Sequence, residues 1–590
     1  MKPRKLTSLV PVLGWLPNYQ RAWLRGDLIG GLSVGVLLIP QGMAYAMIAG
    51  LDPVYGLYAG LVPQVVYALM GTSRQLAVGP VAMDSLLVAA ALGTLGLAGD
   101  NEYAVAAVFL ALIVGAMQVA MGAFRLGFLV NFLSRPVVSG FTSAAAIVIG
   151  ASQLKHVLGI STPNASRLHE IAWATFERLP QTNWYAVLLG VATVALVIVV
   201  RRYGRGIPSA LVATALGTLV VFLAGWDDFG LRIVGEVPSG LPGFSIPGFD
   251  TGLLRPLVPL AFTIALIGYT EAISIGRSLQ DKYGGEVNAN QELLALGLGN
   301  MAGSLFSSYP ATASFSRSAI NGEAGARTGV ASLVSALVIG TTLLYLTPLF
   351  YYLPNAVLGA IILAAVFRLI DVRYAAHLWR EDRIEATILG ITFILTMTWG
   401  MVQGILTGIF LSLAYTVYRD STPHIAEVAR VRGTDYFRNV ERFRGNVELR
   451  PEILMFRFDA PIFFGNAGFF KEALMDRVSG KGAALTTVVL NCEAITYIDS
   501  TAQHVLTKVI AELQARGLLV IISGAIGPAR DVIHHSQIST LVHEDHMFVR
   551  SAEVIDFLDG TRPPGAMQRE IARQGYSAEE WRALQQAQRN

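Results

Sequence analysis

The stretch that decides the fold is YPATASFSRSAINGEAG, Tyr309 to Gly325. Its proline and its run of Ala, Thr and Ser are too interrupted for a plain membrane helix. They read as extended chain leading into a half-helix. Arg317 lies inside this stretch among small and apolar residues, where an unpaired arginine at a bilayer centre costs roughly 2.5–3.5 kcal/mol on insertion scales. A second stretch has the same build: RQLAVGPVAMDSLLVAAALG, Arg74 to Gly93, places Gly79–Pro80 before an apolar half-helix that carries Asp84.

The rest of the chain supplies the membrane. Of 590 residues, 53% are hydrophobic and 14% charged, with a mean hydropathy of +0.52. Soluble domains carry about 25% charged residues, so the chain reads as a polytopic membrane protein. The net charge of +3 gives no reason to expect nucleic acid. Lys2, Arg4, Lys5, Arg21 and Arg25 precede the first apolar run, as in a signal peptide, but no cleavage site is apparent and the run reads as a first membrane helix. The single cysteine, Cys492, excludes an intrachain disulfide and a cysteine-rich metal site, and its surroundings, TTVVLNC, read as a buried strand.

With about 20 apolar residues per span as the guide, membrane segments start near 28, 53, 76, 103, 128, 184, 208, 257, 287, 311, 328, 355, 384 and 402. The expected organisation is a cytoplasmic segment 1–27, a transmembrane transporter domain 28–419, a linker 420–450, a small α/β domain 451–562 and a polar tail 563–590. An even number of segments puts both termini on one side. One set of short loops holds basic residues from Arg74 to Arg383, whereas the other set holds Lys155, Arg167, Arg178, Arg232 and Arg255. This bias places both termini in the cytoplasm, as for an inner or plasma membrane protein.

The two interrupted stretches are the third and tenth segments, seven apart. Gly and Pro can simply kink two ordinary helices, but matched interruptions in two halves of seven point to an inverted-repeat transporter and its substrate site. A half-helix N-terminus presents free N–H groups and the positive end of its dipole, and both favour an anion. Val81, Ala82 and Met83 begin one such end, and Ser314, Phe315 and Ser316 the other, with Ser314, Ser316 and Ser318 as hydroxyl donors. A cation at a helix N-terminus is itself unfavourable, so Arg317 makes sense there if it holds an anion; the alternative is a structural pair with Glu271 or Asp84. Gln41, beside Pro40 in the first segment, shares a helix face with Tyr45, and the two either line this site or join helices.

LIGYTEAISIGRSLQ, Leu266 to Gln280, carries the other exceptional charge, Glu271. An intramembrane carboxylate is a functional-site hypothesis, often a proton relay, unless the nearby Arg277 marks the membrane interface. If Glu271 lies near Arg317, its protonation leaves the site net positive. A unit charge about 6 Å away is worth about 3 kcal/mol at an effective dielectric of 20, so proton and anion favour one another. Asp84 either complements its own helix dipole or carries a second proton or cation.

After 451, strand and helix alternate: EILMFRFDA, NAGFFKEALMDRV, TTVVLNC, TAQHVLTKVIAELQARG and LLVIIS. This is a small α/β domain.

IPQGMAYAMIAGLDPVYGLYAG, GTSRQLAVGPVA, SFSRSAIN and VLNCEAITYIDSTAQHVL, in that order, resemble the motifs of the SulP (sulfate permease) family, known in animals as the solute carrier 26 anion transporters. The resemblance implies an α-helical polytopic membrane protein of fourteen transmembrane segments in a 7+7 inverted repeat, with core and gate domains, a cytoplasmic STAS domain that can bind regulatory proteins, and a homodimer in the lipid bilayer. It places Gln41, Tyr45, Val81, Ala82, Ser316 and Arg317 at the anion site. YTEAISIGRSLQ is similar to the stretch of sulfate–proton symporters whose Glu serves coupling; Asp84 departs from the apolar residue expected at its position. YIDSTA matches a turn that is phosphorylated in related STAS proteins, with Ser500 at the matching position, though Asp499 and Ser500 are also ordinary N-cap residues.

The sequence therefore points to a secondary transporter of sulfate or a similar small oxyanion, coupled to protons and without a cofactor. A sodium-coupled bicarbonate or proton-coupled dicarboxylate transporter, an uncoupled exchanger or channel, and a sensor with a binding-only membrane part are the alternatives. No Walker motif, HExxH or nucleophile elbow is present, so an enzyme is not expected.

Overall fold

A computed structural model describes residues 10–561, apart from 94, 96, 98–99, 129–133, 163–164, 166, 204–208 and 249–250. The tail 563–590 lies outside the described residues. The chain divides into two compact units, Met1–Leu413 and Ala414–Asn590.

The first unit is helical. Its segments, in chain order, are α1 (Arg21–Ile48), α2 (Pro53–Ala59) with α3 (Val62–Met70), β1 (Val78–Gly79) with α4 (Ala82–Gly93), α5 (Asp100–Ala123), α6 (Arg135–Val157), α7 (Trp184–Tyr203) and α8 (Ser209–Ala224). The second half runs through α9 (Thr251–Tyr283), α10 (Ala289–Ser304), β2 (Thr312–Ala313) with α11 (Phe315–Glu323), α12 (Val330–Thr341), α13 (Asn355–Val366), α14 (Arg383–Thr398) and α15 (Met401–Ser421). Among the described residues, seven helices are long and apolar enough to cross a membrane. The largest offsets from the expected starts are at α1 and α6. Residues 21–27, expected in the cytoplasmic segment, are the first turns of α1 despite their charges, because Asp27 is fully buried there.

Packing repeats between the halves. Exchanging each segment with the one seven further on maps the contact of α1 with α12 onto that of α9 with α5, and the contact of α6 with α14 onto that of α13 with α7. The contact of α1 with α11 likewise maps onto that of α9 with α4. Close approach of helices relies on small residues. A Cβ on Gly115 of α5 would stand 2.6 Å from the carbonyl oxygen of Gly297 in α10, and one on Gly297 would stand 2.7 Å from that of Gly115.

Two buried carboxylates fix the turns around the interrupted segments. Glu292 accepts from Tyr67 Oη at 2.7 Å, Thr72 N at 2.8 Å, Thr72 Oγ1 at 2.5 Å and Ser73 N at 3.2 Å, which anchors the turn leading to β1. Asp27 accepts from Arg327 N, Thr328 N, Thr328 Oγ1 and Tyr19 Oη, which anchors the chain leaving α11.

The second unit is a six-stranded sheet. Its strands are β3 (Ile425–Arg430), β4 (Phe437–Asn439), β5 (Ile453–Phe458), β6 (Thr487–Asn491), β7 (Leu519–Ser523) and β8 (Met547–Phe548), in the order β4-β3-β5-β6-β7-β8. Strands β5 to β8 are parallel, and β3 is antiparallel to both of its neighbours. One face packs on α16 (Ala467–Lys481) and α17 (Ser500–Ala515), and the other on α18 (Ser551–Leu558). The expected linker 420–450 is thus corrected: it contains β3 and β4. Charges hide the strand pattern of IAEVAR, yet Ala426 and Val428 are buried against the sheet's second core. Asp499 caps α17 by accepting from Ala502 N at 2.7 Å, and Ser500 beside it is exposed.

Two measurements check this packing. Replacing Glu292 by Ala strands four donors, and at about 1–3 kcal/mol for a buried unsatisfied group it should lower the melting temperature of the detergent-solubilised chain by several degrees. An unchanged melt would refute the anchoring role. Burial, with the adjacent Glu493 charge, pushes the Cys492 thiol up to about 12, so the nucleophilic thiolate is essentially absent at neutral pH. Maleimide at pH 7 should label no thiol in the folded chain and one per chain after denaturation.

Candidate functional site

The site is built on two short strands that pair with each other. Val78 lies opposite Ala313 and Gly79 opposite Thr312, antiparallel. Ser314 N donates to Ala77 O at 2.9 Å, and Ala77 N donates to Ser318 Oγ at 2.9 Å. A strand pair consumes the backbone groups that a broken helix leaves unsatisfied, so each chain can begin its helix directly afterwards. The first intrahelical bonds are Ser85 N to Val81 O and Ser318 N to Ser314 O. The N–H groups of residues 82–84 and 315–317 therefore have no acceptor in their own helices.

Arg317 is fully buried. None of its three guanidinium nitrogens has a hydrogen-bond partner, and among the described residues no carboxylate lies within 4.0 Å of it. Its Nη2 would stand 3.3 Å from a Cβ placed on Gly79, so the side chain spans from α11 to β1. Burying an ion without partners costs far more than burying a neutral polar group, and a planar fork of donors is suited to an oxyanion.

The other predicted residues distribute around this group. Helix α1 packs on both α4 and α11 and brings Gln41 and Tyr45, both half-buried, to the same region; Gln41 Oε1 has no partner. Val81 and Ala82 are half-buried, and Phe315 and Ser316 are exposed. Met83 and Ser314 are buried, with the hydroxyls of Ser314 and Ser316 3.3 Å apart. Ser318 is fully buried and braces β1 through Ala77, so its oxygen is engaged in holding the cradle.

The acids form a separate group. Asp84 is 1% exposed, and its Oδ1 has no hydrogen-bond partner among the described residues. Its Oδ2 would stand 3.2 Å from a Cβ on Gly268 of α9. Glu271 is half-buried and lies three residues further along α9. No ion pair joins Glu271 or Asp84 to Arg317 among the described residues, so the structural pairing is absent. Tyr309, next to the proline that opens the second interrupted stretch, is fully buried and hydrogen-bonded to Ser85 Oγ at 3.0 Å, one residue along α4 from Asp84.

Sequence reading missed Tyr309, Thr312 and Asn300. Thr312 Oγ1 donates to Gly268 O at 2.9 Å, and Asn300 Oδ1 accepts from Ala311 N at 2.8 Å. Only Tyr309 carried a signal, as the residue before the proline that opens the interrupted stretch.

Comparison with known proteins agrees with this architecture. Residues 24–392 match the sulfate permease family model and residues 444–554 the STAS domain model. The chain is 37% identical over 569 residues to the probable sulfate transporter 4.2 of Arabidopsis thaliana, covering 93% of this chain and 83% of that one. It is 33% identical over 543 residues to a probable sulfate transporter of Mycobacterium tuberculosis, covering 91% and 96%. In fold it superposes on the murine solute carrier 26 family member A9 anion transporter in the inward-facing state, with a TM-score of 0.89, 24% identity, and coverage of 95% of each chain. The chain belongs to the sulfate permease family, and is a multi-pass membrane transporter of anions with a C-terminal STAS domain and not an enzyme.

Proposed function

We propose that this chain takes up sulfate or a similar small oxyanion together with protons, by alternating access. The anion is held between the N-termini of α4 and α11 and the guanidinium of Arg317, with Gln41, Tyr45, Val81, Ala82 and Ser316 lining the approach. Glu271 is the coupling acid. The observation that carries this reading is the fully buried guanidinium with three unpartnered nitrogens, placed where two sets of free N–H groups begin. Sulfate is favoured over other oxyanions by the names of the relatives. Both termini and the STAS domain lie in the cytoplasm, the protein works as a homodimer in the plasma or inner membrane, and Ser500, exposed at the start of α17, is the candidate regulatory phosphorylation site beside its N-cap. Sodium is the second reading for the coupling ion, because Asp84 and Glu271 together offer oxygens that suit a small cation.

Uptake of radiolabelled sulfate into proteoliposomes tests this reading. An Arg317→Ala variant should weaken saturable uptake by about 100-fold, the equivalent of about 3 kcal/mol for lost charge-assisted bonds. Arg317→Lys, which keeps the charge without the planar fork, should fall between the two. Wild-type affinity in Arg317→Ala would refute the site.

A Glu271→Gln variant should lose the acceleration that an inward proton gradient gives the wild type, and retain exchange of external for internal sulfate. Full proton dependence in Glu271→Gln would overturn the coupling assignment. Acceleration by a sodium gradient at constant pH would replace the proton with sodium.

A further inference from the structure

We propose that Asp84 and Glu271 act as one two-carboxyl unit that never releases its last proton, so that each cycle carries one proton with the anion and not two. This rests on the reading of Glu271 as the coupling acid and adds the stoichiometry.

The geometry makes the two carboxyls interdependent. Asp84 lies in the first turn of α4 and is 99% removed from solvent. Its Oδ2 approaches α9 at Gly268 so closely that a methyl group there would be in contact with it. Glu271 follows Gly268 by three residues, a spacing that puts both on one helix face, the face that Asp84 approaches.

Among the described residues, no ion pair is formed with Asp84 or Glu271 that would neutralise a second negative charge. From α9, Thr270 donates to Leu266 O and Tyr269 to Gly127 O; from β2, Thr312 donates to Gly268 O. These hydroxyl protons are committed to backbone carbonyls. From the chain before β2, Tyr309 is shared with Ser85. The cation of α11, Arg317, makes no ion pair with either acid among the described residues, and Asp84 Oδ1 has no hydrogen-bond donor. The N-terminal dipole of α4 offsets about 0.3–1 kcal/mol, up to about 2 when partly buried. Ionising an unpartnered buried carboxyl beside another carboxylate costs more than that. Two such groups titrate as a pair, and the fully dissociated state of this pair is excluded.

The unit therefore alternates between one bound proton and two. One proton from outside joins the singly protonated pair as a divalent oxyanion reaches Arg317, and both are released inside. Each sulfate then carries one net negative charge inward. Two independent carriers would instead carry two protons and make sulfate uptake electroneutral.

The test uses the full chain in proteoliposomes with the potential clamped at zero by potassium and valinomycin. It measures the sulfate gradient at which net uptake stops under an imposed pH gradient. By linkage, one proton per sulfate predicts about a tenfold sulfate gradient per pH unit, and two protons about a hundredfold. The expected result is tenfold for the wild type and tenfold for Asp84→Asn. A hundredfold gradient in the wild type overturns the shared unit without any variant having to fold, and a hundredfold wild type falling to tenfold in Asp84→Asn identifies Asp84 as an independent second carrier. If the wild type accumulates no sulfate at all under a pH gradient, the proton-coupled reading itself fails, which is a separate outcome.

Discussion

A backbone that leaves the helix inside a membrane must find every hydrogen bond within the protein. Here that constraint is met by a ladder of two residues on each side, Val78–Gly79 against Thr312–Ala313. The flanking bonds between Ala77, Ser314 and Ser318 extend it just far enough. Everything functional hangs on this pairing. It lets two helices start directly after the paired residues, and it brings Gly79 close enough to Arg317 for the guanidinium to reach across without a side chain intervening. Its outer supports are the carboxylates of Glu292 and Asp27, each gathering backbone donors from a turn more than 200 residues away in sequence.

The ladder also separates two kinds of charge. Among the described residues no ion pair joins Arg317 to either acid; Arg317 reaches β1 at Gly79, whereas Asp84 approaches α9 at Gly268, the helix that carries Glu271. A preference for anions follows from free N–H groups and a fork of donors, and neither depends on the shape of one solute. Selectivity among oxyanions must come from the lining residues, of which Gln41 offers both donor and acceptor.

Much of this was legible in the sequence because membrane burial leaves strong periodic signals. Apolar runs marked the segments, and Gly79–Pro80 and Pro310 marked the interruptions at matched places. The pattern of β5, α16, β6, α17 and β7 marked the second unit. What escaped reading depends on partners distant in the chain. Nothing local in the sequence says that Glu292 and Asp27 are each fully buried. Residues 425–430 looked like linker because alternating charges obscured a strand that only the neighbouring β5 makes evident. Asp84 was read as either a dipole partner or a carrier. Its proximity to α9 rests on Gly268, a residue with no signal of its own.

The absence of a direct bond between the arginine and the acids bears on mechanism. An ion pair at about 4 Å is worth about 4 kcal/mol at an effective dielectric of 20. An anion would have to break such a pair before binding, and breaking one partner of a buried pair is more costly still. Charges that are not in contact interact more weakly, by about 2 kcal/mol at about 8 Å, which falls within the 1–3 kcal/mol typical of coupling between sites. An acid held out of contact with Arg317 is therefore suited to the proposed coupling: its proton would be felt by the anion, and the guanidinium would stay available to it. A transporter built with the acid in contact would trade that availability for a structural salt bridge.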